Sequence, residues 1–128
     1  MINLLLIAAG GALGSLLRYW VAELVSVAVG SAFIWSILLI NVSGSFLIGL
    51  AAGASWDQVR LSDSTFVRYF IMVGLCGGYT TFSSFSLQTF ALLQAGETAR
   101  AFLNMSLSIL TCLLATWAGF GLAAAVSR

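Results

Sequence analysis

Gly74-Leu75-Cys76-Gly77-Gly78-Tyr79-Thr80-Thr81-Phe82-Ser83-Ser84-Phe85-Ser86 is a run of glycines and hydroxyls set inside an otherwise apolar segment. Backbone that leaves helical geometry at membrane depth is tolerated only where it is buried in protein or lines a polar cavity. Provided that the flanking sequence crosses a bilayer, the run points to a transport site within an interrupted helix.

The composition supplies that condition. Hydrophobic residues make up 61% of the 128 and charged residues 7%, whereas a soluble domain carries about 25% charged residues. The chain has no histidine, lysine or proline. Arg18, Glu23, Asp57, Arg60, Asp63, Arg68, Glu97, Arg100 and Arg128 divide it into four apolar stretches, 2–22, 33–54, 66–93 and 101–126, each near or above the roughly 20 residues that a spanning helix needs. The first stretch lacks a positive leader region and a convincing cleavage site, so it reads as a span and not a signal peptide. The expected fold is therefore an all-α integral membrane protein, a single domain over 1–128 with four transmembrane helices and a break in the third. Cys76 and Cys112 fall inside spans and read as small apolar residues, not as a disulfide pair.

With four spans, Arg60, Arg68 and Arg128 share one side of the membrane and Arg18 and Arg100 the other. Three against two is almost no positive-inside bias. A chain so weakly biased can insert both ways up, and two copies could then meet as an antiparallel dimer resembling the inverted repeats of many transporters. Gly10 and Gly14, and again Gly49 and Gly53, have the GxxxG spacing that lets helix backbones approach closely.

Polar residues in spans are costly and tend to face partners or a water-filled path. Asn41 lies near the middle of the second span, followed by Ser43, Gly44 and Ser45. Asn104, Ser108 and Cys112 follow one another at four-residue spacing and share a helical face. Each could be interhelical glue or could bond its own helix; together they favour a path. The spans as drawn contain no acidic residue for a proton or cation carrier, with Glu23 placed at a span's end. Neutral donors suit a small anion, which must trade its hydration shell without binding too tightly to leave. Phe82 and Phe85, three residues apart, share a face beside Ser86 if helix resumes after the glycines. Their ring edges are weakly positive, although ordinary helix packing would use the same pair.

These residues resemble the small fluoride channels of the CrcB or Fluc family along nearly the whole chain. The resemblance rests on Gly10, Gly14, Arg18 and Tyr19; on Asn41, Gly44 and Gly49; on the third-span run Gly74 to Ser86; and on Asn104, Ser108 and Gly119. It implies an antiparallel homodimer in the cell inner membrane with two pores, each passing fluoride passively out of the cytoplasm and protecting the cell from its toxicity. By similarity, Asn41, Phe82 and Phe85 line each pore, joined by Ser83, Ser86, Asn104, Ser108 and Cys112, and Arg18 belongs to a positive vestibule. The resemblance also implies a structural sodium ion on the dimer axis, held by the backbone carbonyls of Gly77 and Thr80. The expected partners are fluoride, a second copy and the lipid bilayer, with no nucleic acid.

The chain departs from the family pattern at Ile37, where threonine is common, at Ser84, at Gln88, where many members carry glutamate, and at Thr111-Cys112. The alternative of a small four-span drug and proton antiporter wants a glutamate in its first span, which is absent. A subunit that only packs against a larger partner would not need the interrupted helix. An enzyme is not expected, because hydroxyls without a base, a buried carboxylate or a cofactor fingerprint supply no catalytic set.

Overall fold

The computed structural model describes residues 1–29, 33–56 and 64–126. Asp57, Arg60, Asp63 and Arg128 of the charge pattern lie outside the described residues. Four helical spans are long and apolar enough to cross a membrane, and no strand occurs among the described residues. α1 is Ile2–Val29 and α2 is Phe33–Trp56. The third span begins as a π-helix over Phe66–Cys76, passes into one α-turn, Gly77–Tyr79 (α3), and resumes as α4, Phe82–Gln94. α5 is Thr98–Val126.

All four spans outrun the charge-bounded stretches, the first and fourth by the most. α1 continues seven residues past Ala22, so Glu23 lies within it, exposed, and not at its end. A helix satisfies its own backbone and can project beyond the hydrocarbon, which is why a charge marks the membrane boundary and not the helix boundary. α5 likewise starts before residue 101, and its first turn carries the Arg100–Glu97 ion pair at 2.7 Å. Between α4 and α5 the chain turns at Gly96, whose φ of 76° is the left-handed conformation that glycine adopts without strain. Gly96 N–H donates to the Leu93 carbonyl and Glu97 N–H to Leu92, at 3.0 and 2.9 Å, a Schellman closure.

α2 packs most extensively on α5, and α1 on the π-helix. Both GxxxG spacings sit at these contacts, inside one chain. A methyl on Gly10 would meet the carbonyl oxygen of Phe70, and one on Gly14 that of Leu75; on Gly49 and Gly53 it would meet the carbonyl oxygens of Thr116 and Phe120. With little hydrophobic driving force between helices in lipid, such backbone-to-backbone contact is what holds the pairs together.

The third helix breaks at Thr80 and Thr81, not at the glycines. Gly77 has helical angles (φ −64°, ψ −38°), whereas Thr80 (−77°, 158°) and Thr81 (−149°, 107°) are extended. The threonines bring hydroxyls that replace lost helix bonds: Thr80 Oγ1 donates to the Cys76 carbonyl at 2.9 Å, and Thr81 Oγ1 accepts the Ser84 N–H at 3.2 Å as the N-cap of α4.

Candidate functional site

An extended residue inside a membrane helix leaves backbone groups that water cannot reach. Thr81 is buried, and its two groups are taken by one side chain on α2. Asn41 Oδ1 accepts the Thr81 N–H at 2.8 Å, and Asn41 Nδ2 donates to the Thr81 carbonyl at 3.1 Å. An asparagine amide is a peptide-like donor and acceptor in one plane, so it can take the place of a neighbouring backbone.

The exchange frees two carbonyls. In a continuing helix the Thr81 N–H would bond the Gly77 carbonyl and the Ser84 N–H the Thr80 carbonyl. Here the first goes to Asn41 and the second to Thr81 Oγ1. The Thr80 oxygen accepts instead from Arg18 Nη1 of α1 at 3.3 Å. Arg18 is thus tied to the break. Gly77 is exposed, and a Cβ there would meet nothing within 4 Å.

Beside the break lies a cavity of about 460 Å³ between α2, the third span and α5. Its wall brings together Asn41, Phe82, Phe85, Ser108 and Cys112, with Gly77 and Thr80 at the break, and no carboxylate or arginine lines it. Gly44, Ser45, Ile48, Met72 and Cys76 complete much of the rest. The Ser108 side chain makes no hydrogen bond among the described residues, unlike Thr111 and Thr116, whose hydroxyls bond carbonyls of their own helix at 2.6 and 3.0 Å. The Phe82 and Phe85 rings stand 5.4 Å apart at 50°. Phe85 is buried, whereas Phe82 is 77% exposed in the single chain.

Three residues expected in the pore are not among those lining this cavity. Ser83 stands 3.3 Å from Thr81 Oγ1, in the cap of α4. Ser86 donates to the Phe82 carbonyl of its own helix at 2.9 Å and is exposed. Asn104, on the stripe with Ser108 and Cys112, is buried and donates to Thr89 Oγ1 at 3.0 Å and to Gln88 Oε1 at 3.3 Å, which joins α4 to α5. Gln88 Nε2 in the same cluster is buried without a partner. Sequence reasoning missed Thr81, whose importance depends on a partner forty residues away; the signal was the asparagine itself, a strong donor and acceptor in an apolar helix. It also missed Tyr79, whose hydroxyl lies 2.8 Å from Ser43 Oγ and links α2 to the turn before the break.

Four spans, an interrupted third helix and a mostly apolar cavity at the interruption, with a few neutral donors in its wall, define a small integral membrane protein. Residues 5–120 match the family model described as CrcB-like protein, Camphor Resistance (CrcB), and the chain belongs to that family. Among its relatives, a protein of Rhodospirillum rubrum is 50% identical over 115 residues, covering 90% of this chain and 89% of the relative. One from Methylocella silvestris is 48% identical over 95% of this chain and 93% of its own length. One from Paramagnetospirillum magneticum is 45% identical over the full length of both. All three carry the name fluoride-specific ion channel FluC.

Proposed function

We infer that the protein is a multi-pass membrane channel, not an enzyme, that passes fluoride down its gradient out of the cytoplasm. One structural observation carries this reading: the lining of the cavity at the break includes the neutral donors Asn41 and Ser108 and the rings of Phe82 and Phe85, and no carboxylate among the described residues. A fluoride ion entering it would exchange water for the free hydroxyl of Ser108 and the second Nδ2 hydrogen of Asn41. Phe82 and Phe85 would present weakly positive edges that attract the anion without holding it. Conduction needs sites of this moderate strength. A carboxylate-dependent drug and proton antiporter finds no carboxylate among the residues of this cavity.

The channel is proposed to be an antiparallel homodimer with two pores. The nearly balanced arginines support it, as does Phe82, a large ring left 77% exposed beside a cavity that one chain does not enclose. A sodium ion on the dimer axis is also proposed. The freed Gly77 carbonyl fits it, since unwound backbone oxygens are what coordinate sodium in broken membrane helices, and the Thr80 carbonyl would join through the lone pair that the 3.3 Å bond from Arg18 leaves open. Among the described residues no group of three histidine, cysteine or acidic side chains could hold a metal instead. Bound there, the ion would supply a fixed positive charge bridging the breaks of two subunits.

Fluoride efflux from liposomes containing the purified protein tests the function, read with a fluoride electrode after valinomycin releases the potassium counter-charge. Fast fluoride efflux beside no chloride efflux is the expected result. Absence of fluoride efflux from folded protein would overturn it.

A further inference from the structure

We propose that Asn41 is a positioning residue for the cation site as well as a wall of the anion cavity, so that one side chain couples the two ions. The proposal rests on the sodium reading above.

A carbonyl can coordinate a cation only if its lone pairs are not committed to the helix. The N–H that would claim the Gly77 carbonyl in a continuing helix, that of Thr81, is turned away by the extended Thr80 and held at 2.8 Å by Asn41 Oδ1. The Thr81 carbonyl is fixed at 3.1 Å by Nδ2 of the same amide, which pins the extended conformation from both sides. Thr80 N–H still bonds the Cys76 carbonyl at 2.9 Å, so the helix is regular up to the residue before the exchange. Without the Asn41 amide, Thr81 N–H has one nearby acceptor of helical geometry, the Gly77 oxygen. Restoring that bond adds a residue to the helix and withdraws the oxygen from the cation. The Asn41 side chain also lines the cavity beside Phe82 and Phe85. Anion-path chemistry and cation-site geometry therefore meet at one amide.

The test is thermal unfolding of the purified full chain in detergent, titrated with sodium chloride against N-methylglucamine chloride at constant ionic strength. A ligand that binds only the folded state stabilises it by RT ln(1 + [L]/Kd), so the unfolding temperature rises with sodium above Kd, which reads the cation site without measuring flux. Asn41→Leu is expected to remain assembled on size exclusion and to need at least about tenfold more sodium for an equal shift. Asn41→Asp keeps an acceptor for the Thr81 N–H. It is expected to reach an equal shift at a sodium concentration within about threefold of the natural protein's while fluoride efflux falls at least about tenfold. This second variant decides the matter if Asn41→Leu does not fold. An unchanged sodium response in Asn41→Leu, or a lost one in assembled Asn41→Asp, overturns the coupling and leaves the cation site standing. A natural protein without any sodium-dependent shift overturns the site and the coupling together. A sodium shift in protein that conducts no fluoride would sink the channel reading alone.

Discussion

Phe82 and Phe85 are three residues apart on α4 with their rings 5.4 Å from centre to centre, yet Phe82 is 77% exposed and Phe85 is 8% exposed. One ring belongs to the interior of the chain and the other to its border. Replacing Phe82 by isoleucine therefore removes an aromatic edge from the cavity wall without emptying a packed core. The expected outcome for Phe82→Ile is unchanged assembly on size exclusion and fluoride efflux reduced at least about tenfold, the loss of one anion contact of roughly 1.4 kcal/mol. Efflux at the natural rate would remove the ring from the path.

Ser108 and Ser86 make a controlled pair. Both are helix serines, but Ser86 spends its proton on the Phe82 carbonyl, whereas the Ser108 hydroxyl has no partner among the described residues and faces the cavity. Ser108→Ala should lower fluoride efflux by about fivefold, in line with one hydrogen bond of about 1 kcal/mol. Ser86→Ala should leave efflux within about twofold, since its lost bond is local to the helix. Equal effects would mean that the cavity is not the route.

Gly49 lets α2 lie directly on α5, with the Thr116 carbonyl where a side chain would go. Gly49→Ala should cost about 1–3 kcal/mol by overpacking, seen as a lower unfolding temperature in detergent. Gly121, where a Cβ meets nothing within 4 Å, is the control. Gly121→Ala should change nothing or add slight stability, because alanine is the better helix former by about 1 kcal/mol.

Gln88→Leu should fold as well as the natural protein. Its Nε2 is buried without a partner, and the Asn104 amide that reaches Gln88 Oε1 at 3.3 Å also donates to Thr89 at 3.0 Å. Removing the unpartnered Nε2 is favourable and losing the long Asn104–Oε1 bond unfavourable, each by about 1–3 kcal/mol, so the two are expected to offset one another to within about 1 kcal/mol. A drop of several degrees in unfolding temperature would show that Gln88 has a partner in the assembled protein.

The four spans were legible because charge is nearly absent from them, and composition alone bounds a membrane helix. The helix ends were not legible, as Glu23 illustrates: a charged residue leaves the hydrocarbon while the helix carries on. The location of the break was legible to within a few residues. Its register was not, because glycine can serve a turn or a tight packing contact, and Gly74 and Gly78 serve the second. Asn41 and Ser108 could be placed on a polar site from their rarity in apolar helices. The partners of Asn104 could not, since a stripe along one helix does not say which neighbouring helix faces each of its positions.

Phe66–Cys76 is wound as a π-helix, whose defining bonds reach five residues back instead of four, although Arg68 N–H near its start still bonds the Ser64 carbonyl at 3.0 Å, so side chains come round to the same face more slowly than on an α-helix. A labelling scan interpreted with an α-helical wheel from Arg68 onward would drift out of phase and assign buried positions to lipid. Gly74 and Cys76 are buried and Val73 is half exposed. Those three positions, rather than an assumed period, are the reference points from which accessibility along this span should be phased.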